Sequence, residues 1–508
     1  MRERGDMSDG LETHSAWLGV PWTVWAAAAL AMLLVFRVAL LLLNPLGLHG
    51  DEAQYWAWAQ DPAFGYYSKP PLIAWIIAAT TALFGDATWA VRLASPVMHT
   101  ATAVIVFATA RRLYGVEAGL FAGAAYALMP GVALSSALIS TDAALLLFVA
   151  LFVHAWVRLR ERASLGWALT LGAALGLGLL AKYAMVYVLP AFALAVLLDA
   201  PTRRAILGIL GAAAALLAGA IVAPNLAWNA RNDFATLVHT GDNANLQDGA
   251  SLRPAELGEF WLGQFGVFGP LAFAMLLVAL WAALRAVRTD RYGFTFWLVV
   301  LVATPLLVIS VQALISRANA NWAAAAYASA PVLLAGWAAS RRVRRRWLMG
   351  ALALNGLICT VPGLVMTSPA LTDRLGFSNA VKRLRGWPET VAAIETAFAA
   401  GDYEAVAVDN RLLFYDLTYY GLEETAPLFM WRFEPRLNSH AEMTRPLPEN
   451  DRRVLLVSYF ETYAPYFERD FERIERLGTI EIALGGGQVR RLSTYAASGY
   501  RGPVFRDD

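Results

Sequence analysis

About eleven stretches of roughly 20 apolar residues, set apart by short arginine-rich or polar breaks, fill most of the first 366 positions of the sequence. A helix rises about 1.5 Å per residue and bilayer hydrocarbon is about 30 Å thick, so each stretch predicts a membrane-spanning helix. The candidate spans are 22–43, 89–110, 116–134, 141–157, 164–181, 184–199, 205–223, 258–283, 293–314, 321–338 and 347–366. A water-soluble globule is excluded, since 58% of the residues are hydrophobic and only 16% are charged, against roughly a quarter in soluble domains. The 18 Trp, 18 Tyr and 24 Phe supply the amphipathic aromatics that settle at membrane interfaces. A net charge of +2 with arginines scattered in short clusters provides no basic face for nucleic acid, so the lipid bilayer, not a polynucleotide, is the expected partner. The lone Cys359 lies in an apolar run and excludes an internal disulfide.

Loops rich in Lys and Arg stay in the cytoplasm. Arg2 and Arg4 precede the first span, and alternate loops carry Arg111–Arg112, Arg158–Arg162, Arg203–Arg204, Arg285–Arg291 and Arg341–Arg346. The opposite loops are longer and hold only Lys69, Lys182, Arg231, Arg253 and Arg317, with Arg92 near a span start. This asymmetry predicts a cytoplasmic tail over 1–21 and a transmembrane domain over 22–366. With an odd number of spans, 367–508 becomes an extracytoplasmic α/β domain. There the stretches Tyr403–Asp409 and Arg453–Tyr459 predict strands, Ser378–Leu384 and Glu461–Arg476 predict helices, and Leu484–Gln488 reads as a hairpin turn. Its Gly485–Gly487 run is a turn and not a phosphate cradle, because no helix follows, and the domain carries no catalytic motif. Span one is too long for a signal-peptide core and has no small-residue cleavage site after it, so it is expected to be retained.

Polar groups are costly near hydrocarbon, so their clustering in the loops opposite the arginine-rich ones is informative. The loop 44–88 is the richest, with His49-Gly50-Asp51-Glu52-Ala53-Gln54-Tyr55-Trp56 followed by Tyr66-Tyr67-Ser68-Lys69-Pro70-Pro71. Glu52–Ala59 and Pro71–Phe84 suit helices lying in the interface. Asp51 stands where a carboxylate caps free N–H groups, or where a general base would sit; Glu52 is equally suited to the helix dipole. Lys69 precedes two prolines that stiffen its backbone, and is either a snorkelling lysine or a cation for a lipid phosphate. Tyr55, Tyr66 and Tyr67 are belt aromatics or substrate contacts. Asp142 opens a span after Ser140-Thr141, and Lys182 ends one; capping and dipole roles compete with binding for both. The loop 224–257 adds Asn225, Trp228, Asn229, Arg231, Asp233, His239, Asp242, Asn243 and Asn245, with His239 and His49 read more readily as surface residues than as ligands. Arg317 and Asn321 flank the start of the tenth span.

Five of these pieces, in order, resemble the GT-C superfamily of membrane glycosyltransferases, in the branch of protein O-mannosyltransferases and lipid A aminoarabinose transferases. They are Gly50-Asp51-Glu52-Ala53-Gln54-Tyr55, Tyr67-Ser68-Lys69-Pro70-Pro71, Thr141-Asp142, Gly178-Leu179-Leu180-Ala181-Lys182-Tyr183 and Asn319–Tyr327, spread over residues 20–340. The resemblance implies a GT-C fold in a bacterial inner membrane. It also implies a polyprenyl-phosphate sugar donor and inverting transfer to an envelope acceptor: lipid A, lipopolysaccharide, another glycolipid, or protein. It gives Asp51 the role of base and Lys69 that of a donor-phosphate contact. The aminoarabinose transferases typically carry Glu where this chain has Ser68, so a divalent metal is not supported and no cofactor is expected. The run Arg317–Trp322 looks more like members acting on other lipopolysaccharide sugars.

The residues agree with that chemistry. A departing polyprenyl phosphate needs positive charge, which Lys69 with Lys182 or Arg317 would supply without a metal ion. Asp51 would accept the acceptor's proton, and one displacement with inversion needs a single such carboxylate, leaving Glu52 to orient it or bind acceptor. Two other classes remain open in the sequence. A transporter would place ionisable groups at the midplane on broken helices, and a non-catalytic glycolipid-binding protein would work unchanged without Asp51.

Overall fold

The computed structural model describes residues 16–17, 20–242, 252–286 and 293–503. Arg2, Arg4, Asn243, Asn245, Arg288 and Arg291, named above, lie outside the described residues. The chain divides into two compact units. The first combines Met1–Leu42, Ser95–Ala223 and Ala244–Val361; the second combines Leu43–Ala94, Pro224–Asn243 and Pro362–Asp508.

The first unit is helical. Across the chain's described residues, six helices are long and apolar enough to cross a membrane, or up to ten if each of four bent pairs counts as one span. The expected eleven is therefore not reached on length and composition, and the stretch 164–181 forms a helix of only 17 residues, Leu165–Ala181. Three stretches expected to run straight are broken. Val116–Ala127 bends by 55° into Pro130–Ser136, Pro254–Phe268 by 108° into Pro270–Ala286, and Ala320–Ala328 by 55° into Ala330–Ala339. Proline supplies the break at Pro130 and Pro270, because it has no N–H to continue the ladder; Gly269 takes a positive φ of 99° that turns the chain just before Pro270.

A carbonyl released inside hydrocarbon must find a donor. Arg37, buried within the first span, gives its Nη2 to the Ala127 carbonyl at 2.6 Å, and Cys359 Sγ approaches the Leu128 carbonyl at 3.3 Å. At the other break Asn355 Nδ2 donates to the Phe268 carbonyl at 3.1 Å. Polar residues that look misplaced in apolar runs thus serve the broken helices. The core of this unit is built mainly of Ala, Leu and Val with Trp156 and Trp297 fully buried, whereas Met32, Val35 and Leu43 of the first span are exposed, as a lipid-facing helix requires.

The second unit holds a five-stranded sheet in the spatial order Leu428–Met430, Ala405–Val408, Val454–Ser458, Gln488–Tyr500, Phe471–Gly485. The first three strands are parallel and the last two join antiparallel. Ala405–Val408 and Val454–Ser458 are buried at every position, as central strands covered on both faces must be. The hairpin turn lies where expected, with Gly485, Gly486 and Gly487 all at positive φ. The helix expected over Glu461–Arg476 stops early: a 3-10 turn Glu461–Tyr463 and a helix Ala464–Asp470 give way to the strand Phe471–Gly485. Charged residues that look like a helix face, Arg473, Glu475 and Arg476, instead pair across the ladder with Ser498, Ala496 and Tyr495. Two further helices, Gly50–Gln60 and Leu72–Phe84, occupy the stretches expected to lie in the interface.

Candidate functional site

The helix Gly50–Gln60 carries the Asp-Glu pair, and its start shows which of the two is free for chemistry. His49 is the N-cap: its Nδ1 accepts from the Asp51 N–H at 3.3 Å, while Glu52 Oε2 accepts from the His49 N–H at 2.9 Å, closing a capping box. Asp51 therefore does not cap the helix. Its side chain is 46% exposed, with Arg411 Nη1 at 3.2 Å from Oδ1 and His49 Nδ1 at 3.9 Å from Oδ2. Glu52 is buried, and Arg92 clasps it through Nε at 2.9 Å and Nη2 at 2.7 Å while also donating to the carbonyls of Leu46 and Gly47. The pair expected to share catalysis is thus split into one accessible carboxylate and one locked beneath it.

Arg411 comes from the sheet region, where the sequence offered no motif. Strand Ala405–Val408 leads through buried Asp409, whose carboxylate accepts from Ser458 Oγ at 2.6 Å and the Tyr459 N–H at 2.9 Å. Asn410 then caps the helix Arg411–Tyr419 by accepting from the N–H groups of Leu412 and Leu413. Arg411 opens that helix beyond the carboxyl end of a parallel strand, the position where open α/β sheets place their ligand-facing residues. Its Nη1 also donates to Gln54 Oε1, and Gln54 Nε2 reaches Ser68 Oγ at 3.4 Å. Ser68, the departure from the aminoarabinose-transferase pattern, thus belongs to the same polar chain. The only signals in the sequence for Arg411 were a strand followed by Asp-Asn-Arg and an aromatic helix.

Lys69 lies in the same unit, half-buried, and its carbonyl accepts from the Tyr66 N–H at 3.2 Å. Tyr66 is buried, stacks on Trp58 at 4.5 Å and commits its hydroxyl to the Trp58 and Asp61 carbonyls; Tyr55 is buried against Trp58. These two rings build the loop. Tyr67 donates its hydroxyl to the Leu437 carbonyl and its N–H to His440 Nδ1 at 3.4 Å, and its ring lies 5.3 Å from that of His239. His239, read from sequence as a surface residue, is therefore part of this cluster. Burial, with the cations Lys69 and Arg411 next in weight, pushes its pKa down to about 4, so it is a neutral imidazole at pH 7. His440 is pushed down to about 4 by burial as well. Arg231, at the end of the helix Ile209–Arg231, is exposed.

The first unit holds a second polar cluster. Asp142 does not cap its helix, whose N-cap is Ser140; it accepts from Lys182 Nζ at 2.6 Å and Asn321 Nδ2 at 2.9 Å. The three motifs in which these residues stand are widely separated in sequence and meet here, while Arg317 is exposed at the end of the preceding helix. Among the described residues no three His, Cys, Asp or Glu side chains converge in a way that would hold a metal ion.

Comparison with known proteins bears on this arrangement. The family described as dolichyl-phosphate-mannose-protein mannosyltransferase matches residues 68–228. The chain is 37% identical over 390 residues to the lipid A galacturonosyltransferase RgtD of Rhizobium johnstonii, covering 76% of this chain and 80% of that one. It is 32% identical over 215 residues to the undecaprenyl phosphate-alpha-4-amino-4-deoxy-L-arabinose arabinosyl transferase of Pseudomonas paraeruginosa, covering 38% and 39%. In fold it is similar to the crystal structure of ArnT from Cupriavidus metallidurans bound to undecaprenyl phosphate, with a TM-score of 0.61 and 17% identity over 96% of this chain and 99% of that one. With that extent of match the enzyme reading prevails over the transporter and the non-catalytic binder. The chain belongs to the GT-C superfamily of membrane glycosyltransferases, in the branch that holds the protein O-mannosyltransferases and the lipid A aminoarabinose transferases.

Proposed function

We propose that this glycosyltransferase moves a uronic acid sugar from a polyprenyl phosphate to lipid A or the lipopolysaccharide core, with inversion at the anomeric carbon. The observation that carries the reading is the split of the Asp-Glu pair: Asp51 is relieved of capping by His49 and Glu52, stays half-exposed, and shares one compact unit with Lys69 and Arg411. The identity to a lipid A galacturonosyltransferase supports the choice of sugar and acceptor, and the ArnT complex with undecaprenyl phosphate supports the choice of carrier.

In this reading the acceptor hydroxyl gives its proton to the Asp51 carboxylate as its oxygen bonds to the anomeric carbon. The bond from that carbon to the phosphate oxygen breaks, and the polyprenyl phosphate leaves with the electron pair, its added negative charge balanced by the Lys69 ammonium. Asp142, Lys182 and Asn321 form a further polar site for substrate in the helical unit. The membrane is the bacterial inner membrane, with the N-terminus cytoplasmic and the sheet region periplasmic, as the arginine distribution argues; alkaline phosphatase fused after Arg501 would be inactive if that orientation were wrong.

The test is transfer from radiolabelled polyprenyl-phosphate sugars to extracted envelope lipid by the purified protein, its Asp51→Asn and Lys69→Ala variants, and the wild type with EDTA. Labelled lipid A or core lipid, lost in both variants and retained with EDTA, is expected. Label in protein, or in no acceptor at all, would overturn the reading, and loss with EDTA would overturn its metal-free part.

A further inference from the structure

The sheet region brings the Arg411 guanidinium to the Asp51 carboxylate, and that guanidinium is only partly used. Arg411 spends Nη1 on both of its contacts, Asp51 Oδ1 and Gln54 Oε1. Its Nε and Nη2 donate to no other group among the described residues, and the side chain is 41% exposed. That leaves the Nε–Nη2 edge, the fork that matches two oxygens of a carboxylate or phosphate, open beside the carboxylate expected to take the proton.

The backbone that carries the guanidinium is held from behind. Its helix is capped by Asn410 and packs on the helix of Asp51 so closely that a Cβ at Gly50 would lie 2.8 Å from Leu412 Cβ. The two helix starts that carry Asp51 and Arg411 therefore stay side by side without relying on the 3.2 Å contact between the side chains.

We propose that Arg411 is an oxyanion receptor supplied by the sheet region, which takes a second negative group of the substrate pair on its Nε–Nη2 edge and so determines which substrate is accepted. The group is a planar carboxylate on the transferred sugar or a phosphate oxygen pair on the acceptor lipid. The inference rests on the glycosyl-transfer reading above and adds to it a residue, a ligand chemistry and a role for the C-terminal region.

The experiment uses the full-length protein in lipid nanodiscs as wild type, Arg411→Lys and Arg411→Gln. Two donors, a polyprenyl-phosphate hexuronic acid and the matching neutral hexose, are crossed with two acceptors, phosphorylated and dephosphorylated lipid A. A neutral analogue that is not turned over is compared through its inhibition constant as a competitor. Loss of a bidentate charged contact should raise KM for the anionic substrate about 30-fold more than KM for its neutral counterpart in either variant, whatever change in kcat both share through the contact to Asp51. The change appears in the donor pair if the sugar carboxylate is bound, and in the acceptor pair if the phosphate is. Arg411→Lys tests the geometry, since it keeps the charge and loses the fork. Equal losses for every donor and acceptor would reduce Arg411 to a structural role, and unchanged kinetics would remove it altogether; either result overturns the inference while wild-type transfer continues. Absence of transfer by the wild type with all four pairs would instead overturn the functional reading, and the inference with it.

Discussion

Arg92 and Glu52 face each other as a two-point ion pair, Nε to Oε1 at 2.9 Å and Nη2 to Oε2 at 2.7 Å, with almost no exposure of either side chain. A charge left unpaired at such depth costs roughly 3–5 kcal/mol. Glu52→Ala is therefore expected to lower the unfolding temperature in detergent sharply, and Glu52→Gln, which retains an acceptor for Arg92, to lower it less. Unfolding of Glu52→Ala at the wild-type temperature would show that the pair holds nothing together and would return Glu52 to consideration as a group that acts on substrate.

Asp51 sits one residue away and predicts the opposite pattern. Its carboxylate makes no capping bond, and its contacts to Arg411 and His49 are half-exposed, so Asp51→Asn removes little from the fold. Loss of a general base lowers rate by about 10²–10⁴. Turnover should fall at least about a hundredfold with the unfolding temperature unchanged. Comparable transfer rates in wild type and Asp51→Asn would exclude it as the base.

Much of this separation could not be read from the chain. The apolar runs were legible because hydrocarbon thickness imposes a length on them, and the two helices after His49 and Pro71 were legible from the helical spacing of Tyr55, Trp56 and Trp58 and from an apolar run too short to cross. The breaks at Pro130 and Pro270 carried a signal in proline itself, but nothing adjacent in sequence marks Arg37 and Asn355 as the groups that satisfy them, because their partners lie about 90 residues away. Asp51 and Glu52 were legible as a pair and not as a division of labour, since only Arg92, 40 residues on, makes them different. The strand and Asp-Asn-Arg run before its helix did not single out Arg411: an arginine at a helix start is common, and what distinguishes it is a contact to Asp51 across 360 positions. The strand Phe471–Gly485 was misread at its start because an acidic and aromatic run fits a helix face as well as a ladder until its partner Gln488–Tyr500 is known.

Glu442 gives a pH dependence with a defined sign. Burial pushes its pKa from 4.5 up to about 7, partly offset by the Asn438 N–H that it accepts at 2.7 Å. A carboxyl whose folded pKa is raised contributes its full stability below the unfolded value and loses it as pH rises through the folded one. The wild type should therefore lose stability between about pH 4.5 and pH 7, by roughly 3 kcal/mol, and level off above. Glu442→Gln keeps the acceptor for Asn438 and has no proton to lose, so its stability should exceed that of the wild type at pH 8 and match it near pH 4.5. Parallel unfolding-temperature curves for the two proteins across that range would mean that Glu442 stays charged in the folded state.

Gly50 is where the two helices that carry Asp51 and Arg411 touch. A Cβ there would stand 2.8 Å from Leu412 Cβ, closer than real side chains pack, and a tight 3.2 Å from Asp416 Oδ2, so Gly50→Ala must push the helix Arg411–Tyr419 away from the helix Gly50–Gln60. Overpacking of this kind costs about 1–3 kcal/mol, and misplacement of a reacting group by about 1 Å costs on the order of a hundredfold in rate. The variant should consequently remain folded at 25 °C and lose far more activity than stability. Leu412→Gly, introduced into Gly50→Ala, removes the Cβ that the new methyl group meets and should recover part of the rate. A double variant no faster than Gly50→Ala alone would show that the spacing between these helices does not set the position of Asp51.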